Sequence, residues 1–138
     1  MDIGCVACHN GIGIGGGSYQ KFGIWEDYWP ITKSEIIDKG RFNLTKDKKD
    51  LYVFRVPSLR NVKMTTPYFH DGSVKALPDA VRIMAKIQLR KILLEDDVKY
   101  IVAFLSTLTG KLPHNFSGTD NDSSKKGAPD LPSPAHSD

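Results

Sequence analysis

Two cysteines and a histidine stand within a single short stretch near the start of the chain. They are Cys5, Cys8 and His9, in GCVACHNGIGIGGG, and they are the only two cysteines and one of four histidines in the sequence. On a helical turn these positions are i, i+3 and i+4, so all three side chains emerge on one face. That grouping suits a covalently held haem, one per chain. The two sulfurs form thioethers with the vinyl groups, and the imidazole binds the iron from the same side. His9 is then the proximal ligand. The glycines that follow allow backbone to pass close to the macrocycle edge, where side chains would clash.

Other chemistries fit less well. Gly11, Gly13 and Gly16 match G-x-G-x-x-G, but no strand pattern precedes them and no helical pattern follows, as a dinucleotide site requires. A thioredoxin-like dithiol wants its C-x-x-C after a strand and opening a longer helix. A zinc site needs two more ligands; His70 and His114 are the candidates, and no second C-x-x-C is present.

Across the haem, three residues qualify as the second axial ligand: Met64, Met84 and His70. Met64 lies in a polar loop and also reads as a surface residue. His70, in YFHDG, either ligates or holds a loop by hydrogen bonds. Met84 lies on an apolar helical face, where a methionine either fills a gap in the core or ligates. A His/Met pair leaves no vacant coordination position and raises the reduction potential, so such a centre moves electrons.

The elements that must position these residues are unevenly legible. One helix is expected from about Pro78 to Ile87, with Pro78 at the first helical position, Asp79 at the positive end of the dipole, and Val81, Met84, Ala85 and Gln88 on one face. A second is expected from about Glu95 to Leu108. Val98, Ile101, Val102, Leu105 and Leu108 form its stripe, three acids load its first turn, and Gly110 terminates it. Residues 18–57 read as a long, mostly irregular excursion with a short strand at Tyr52–Val56. A short helix is expected near Ser58–Val62. From Lys111 onward the sequence is rich in Ser, Asp, Pro and Gly, so residues 113–138 are expected to form a flexible tail.

The bulk numbers bound the rest. The chain has 138 residues, 40% hydrophobic and 25% charged, with a formal net charge of +3. That suits one domain. Its scattered basic residues argue against nucleic-acid binding, and no apolar run reaches the length of a membrane span. Met1 stands too close to Cys5 for a signal peptide between them, so none is expected in this sequence.

The ordered set GCVACHNG, YQKFGIW, GRFNLT, VFRVPSLRNV, TTPYFHDGSV, AVRIMAKIQL and DDVKYIVAFLSTLTG resembles the C-terminal domain of bacterial dihaem cytochrome c peroxidases, over about residues 4–112. The resemblance implies a mainly α, cytochrome c-like haem domain with long irregular loops, spanning residues 1–112. The helix that normally precedes C-x-x-C-H and packs on the C-terminal helix is missing, leaving the Val98–Leu108 stripe partly unpaired. It implies a periplasmic enzyme that reduces hydrogen peroxide to water. This chain would be its high-potential, electron-accepting domain, serving a peroxidatic haem on an N-terminal domain absent here. Cys5 and Cys8 would anchor the haem, with His9 and Met84 as axial ligands. A calcium ion would draw on backbone carbonyls at Thr65 and Pro67. His70 would lie near the interdomain interface, and Arg60 and Lys86 would either meet haem propionates or stay solvated. The electron donor would be a small cytochrome c or a cupredoxin, and a homodimer is among the assemblies the family allows. A related family that oxidises tryptophylquinone precursors has a tyrosine in place of this methionine, so Met84 argues against that branch. The alternative is a stand-alone monohaem c-type electron carrier, which a second C-x-x-C-H module encoded upstream in frame would exclude.

Overall fold

The computed structural model describes residues 3–111. The tail expected at 113–138, and His114, lie outside the described residues. Helices α1 (Tyr28–Thr32), α2 (Phe42–Thr45), α3 (Leu77–Leu89) and α4 (Glu95–Thr107) supply most of the regular structure. Strands β1 (Tyr19–Lys21) and β2 (Val53–Arg55) form one antiparallel pair, with Gln20 opposite Phe54. Short 3-10 turns span Cys5–Ala7, Lys48–Asp50 and Val62–Met64.

The two long helices lie close to where their patterns put them. In α3, Pro78 and Asp79 sit in the first turn, where a missing N–H costs nothing and a carboxylate meets the positive dipole end. Arg90 closes the helix in the left-handed region at φ 53°. Its N–H and that of Lys91 bond to the Lys86 and Ala85 carbonyls, a Schellman pair. In α4, the Asp97 carboxylate accepts from the Leu94 N–H at 3.4 Å, satisfying one donor at the helix start.

These helices pack on each other. The core holds Tyr68, Val74, Leu77, Ala80 and Leu105, with Ile101, Val102 and Leu108 packed against it. The apolar stripe of α4 is engaged in part: Val98 and Leu105 are buried, while Ile101, Val102 and Leu108 are half-buried. The apolar surface left open on α4 is beside the stripe, at Tyr100 (74% exposed) and Phe104 (54%). With Ile3, Asp97 and Ile101 they line a shallow groove of about 420 Å³.

Residues 18–57 hold more order than their sequence shows. Besides the expected strand, β1, α1 and α2 form there. Each runs only three to five residues, too short to carry a period. Tertiary packing holds them instead. Tyr28 is fully buried, its ring 4.9 Å from Phe22 and 5.3 Å from Trp29. Its hydroxyl donates to the Asp38 carbonyl at 3.0 Å, so the buried phenol is satisfied. The helix expected at Ser58–Val62 starts only at Val62. Ser58 is instead drawn to the glycine loop, donating to the Gly13 carbonyl at 2.6 Å.

The loop between the Val62–Met64 turn and α3 is tied to the end of α1. The Asp71 carboxylate accepts from the Ser34 hydroxyl and from the Ser73 N–H at 3.1 Å. Partial burial would raise the Asp71 pKa; the bonds from Ser34 and Ser73 and the nearby His70 outweigh it, and the net shift is downward. A depressed carboxylate stabilises the fold fully above its unfolded pKa, about 3.9, and loses that contribution as pH falls through the native value. Asp71→Asn should therefore be less stable than the parent at neutral pH. The gap should close below about pH 4, as urea titrations across pH will show.

Candidate functional site

The C-x-x-C-H segment folds as expected, on one tight turn. Gly4, at φ 101°, opens it against the Leu89 side chain of α3. The N–H groups of Ala7, Cys8 and His9 bond back to the carbonyls of Gly4, Cys5 and Cys5, at 3.2, 3.3 and 3.0 Å. Asn10 closes the turn by donating to the Val6 and Ala7 carbonyls. Cys5 is exposed and Cys8 half-buried, and no disulfide joins them.

The His9 ring is half-buried, and its Nδ1 is enclosed without a hydrogen bond of full geometry. Burial lowers the imidazole pKa, and the backbone carbonyl of Pro57 pulls weakly the other way. The ring is thus neutral at neutral pH. A proton on Nδ1, toward that carbonyl, leaves Nε2 with the lone pair a metal needs.

Gly15 makes this approach possible. It sits at φ 112°, and a Cβ there would lie 2.3 Å from the Pro57 oxygen and 3.1 Å from His9 Nδ1. Gly15→Ala should cost about 1–3 kcal/mol in backbone strain alone and push His9 and Pro57 apart. Gly17, with nothing near its missing Cβ, is the control: Gly17→Ala should leave the denaturation midpoint almost unchanged.

Met84 lies in α3. At 3.6 residues per turn, Leu77, Met84 and Gln88 fall within about 40° of one another on the helix face. Leu77, Ala80, Ala85 and Ile87 on this side are buried, but Met84 in their midst is only half-buried. Val81 and Gln88, on the same side, are half-buried as well. The C-terminal end of α3 adjoins the cysteine turn, through Leu89 beside Gly4 and the Lys91 Nζ bond to the Ile3 carbonyl at 3.1 Å. Two thiols, a neutral imidazole with an enclosed Nδ1, and a half-buried thioether on an adjoining helix form a donor set that fits a c-type haem.

Other expected residues lie elsewhere. Met64 is 69% exposed, a surface residue. His70 stacks on Phe54 with centroids 4.3 Å apart and meets Tyr28 edge-on at 5.0 Å, as part of the aromatic cluster. Lys86 pairs with Glu26 at 3.2 Å, and Arg60 is exposed. Thr65 and Pro67 are exposed on their loop. Among the described residues no group of three or more His, Cys, Asp or Glu could hold a metal ion. Calcium wants six to eight oxygens, commonly with carboxylates, so this loop alone does not make a calcium cage. A concavity of about 590 Å³ lies between Tyr19, Arg41, Leu44 and Arg55, and neither His9 nor Met84 lines it. Among the described residues, no helix is long and apolar enough to cross a membrane.

Two contributors were not foreseen. Nothing in VFRVPSLRNV announces that Pro57 offers its carbonyl to His9. Gln88 did leave a signal, as a polar residue on the apolar face of Met84.

No family model matches the chain. It is 52% identical over 118 residues to the cytochrome c551 peroxidase of Pseudomonas aeruginosa, covering 82% of this chain and 32% of that one. It is 49% identical over 110 residues to the cytochrome c551 peroxidase of Nitrosomonas europaea, covering 80% and 32%. To the cytochrome c peroxidase of Escherichia coli it is 44% identical over 111 residues, covering 79% and 23%. The chain thus spans about a third or less of the length of these relatives. Among solved structures, a MauG-like protein associated with microbial copper homeostasis matches with a TM-score of 0.62 and 26% identity, over 80% of this chain and 43% of that one.

Proposed function

We propose, from the domain this chain shares with cytochrome c peroxidases, that it is the electron-accepting, high-potential c-type haem domain of such an enzyme. The observation that carries the reading is Met84, a half-buried methionine of α3, on a helix that adjoins the C-x-x-C-H turn. A haem bound here supplies a reversible one-electron couple, toward the two electrons that reduce hydrogen peroxide to water. The protein's residues do the rest. Cys5 and Cys8 would tether the group. His9 would offer Nε2 as a ligand, with Pro57 and Gly15 packed beside its ring. Met84 would offer its thioether as the second ligand, which would leave peroxide no place to bind.

The partner is a peroxidatic haem domain outside this chain, and the electron donor a small cytochrome c or cupredoxin, in the periplasm. Thr65 and Pro67 would offer carbonyls to a calcium ion only as part of an oxygen set completed from outside the described residues. The test is the visible spectrum of the haem-loaded chain, with a peroxide assay beside it. A sulfur-to-iron charge-transfer band in the oxidised form and negligible peroxide consumption are expected. Rapid consumption with Met84 still bound to iron would overturn the assignment.

A further inference from the structure

The last turns of α3 are held from the side by a polar clamp. The Gln88 side-chain oxygen accepts from the N–H of Gly23 at 2.6 Å and of Ile24 at 3.1 Å. Its Nε2 donates to the Lys21 carbonyl at 2.9 Å. One amide thus makes three bonds to a loop more than sixty residues away in sequence. The loop is shaped to meet it. Gly23 is buried at φ 86°, where a Cβ would lie 2.6 Å from the Glu26 carbonyl. The Trp25 N–H bonds to the Ile87 carbonyl at 2.9 Å, Lys86 pairs with Glu26, and the Arg90 guanidinium lies 5.6 Å over the Trp25 ring.

Met84 precedes Gln88 by one turn, on the same face. The apolar contacts of that face are non-directional and tolerate a small rotation or slide of the helix. Hydrogen bonds do not, because they weaken steeply with angle and distance. A thioether is a weak, neutral ligand with three rotatable bonds behind it, and it depends on where its helix holds it.

We propose that Gln88 is the positioning residue of Met84: its amide fixes the rotation and axial register of α3, so that the thioether is presented to the iron. The inference rests on Met84 being an axial ligand, as proposed above. Gln88 touches the backbone of residues 21–24 and acts only through the helix.

The test compares Gln88→Leu, Gln88→Glu and Met84→Ala in the haem-loaded protein. Two melting curves are recorded for each: the sulfur-to-iron band, and the far-ultraviolet circular dichroism. Gln88→Leu should lose the band well below its own melting temperature, opening a gap wider than the parent's. Its reduction midpoint should shift downward as thioether ligation is lost. Gln88→Glu keeps an acceptor for Gly23 and Ile24 and should fall between; it carries the comparison if Gln88→Leu does not fold. A merely structural role moves both curves together and leaves the midpoint alone. That result would overturn the proposal. Met84→Ala should lack the band from the outset. If it keeps the band, the ligand assignment fails, and the role of Gln88 with it. If it loses the band while the gap in the Gln88 variants matches the parent's, only the role of Gln88 fails.

Discussion

A chain with Cys5 and Cys8 both replaced by serine is expected to carry no haem that survives acid–acetone extraction. The two thiols stand on one 3-10 turn, one exposed and one half-buried, outside any disulfide. Nothing else in the sequence offers a thioether anchor, because these are its only cysteines. Each single variant retains one anchor and should keep a covalent haem with a shifted spectrum. The double variant should lose the group on unfolding and appear at the bare polypeptide mass. Stability should fall with it, since a ligand that binds only the folded state stabilises that state by mass action. Mass spectrometry under denaturing conditions decides the matter, and a haem that stays attached to the double variant would refute the tethering.

Met84→Ala should abolish the sulfur-to-iron band, lower the reduction midpoint, and raise peroxide consumption from near zero. The first two effects follow from losing the thioether, which raises the potential of a His/Met centre. The third follows if, as proposed, Met84 occupies a ligand position that its loss would open to peroxide. The cost in folding stability should be about 2 kcal/mol, the low end for a Met→Ala change, because the side chain is only half-buried. Met64→Ala is the matched control. At 69% exposure, Met64 should leave band, midpoint and peroxide rate unchanged. A band that persists in Met84→Ala and disappears in Met64→Ala would reverse the assignment.

Legibility in the sequence followed length of period and locality of cause. The stripe from Val98 to Leu108 spans three helical turns, and α4 formed within one residue of its expected ends. The C-x-x-C-H turn was legible because its spacing is itself the geometry. The elements β1, α1 and α2 were not, since each is shorter than a period and is held by distant rings around Tyr28. The same limit hid Pro57, whose carbonyl matters to His9 only after the chain has folded back across Gly15. The partners that α4 does have were hidden for a related reason. The stripe was counted as needing an absent partner, but α3 and the Tyr68–Val74 loop supply one. The resemblance to cytochrome c peroxidases holds across most of the chain. The calcium loop was expected from that resemblance alone, and no clustered side chains among the described residues support it.

The contact of His9, Gly15 and Pro57 sets a limit on transplanting this site. A synthetic peptide copied from residues 4–17 would bring along both sulfurs and the imidazole, yet not the Pro57 backbone that packs beside Gly15 and the ring. Its histidine would lose the packing that restrains the ring here. Anyone grafting the motif into a designed scaffold must therefore import the exit of the second strand as well, because half of the socket is written forty-odd residues downstream.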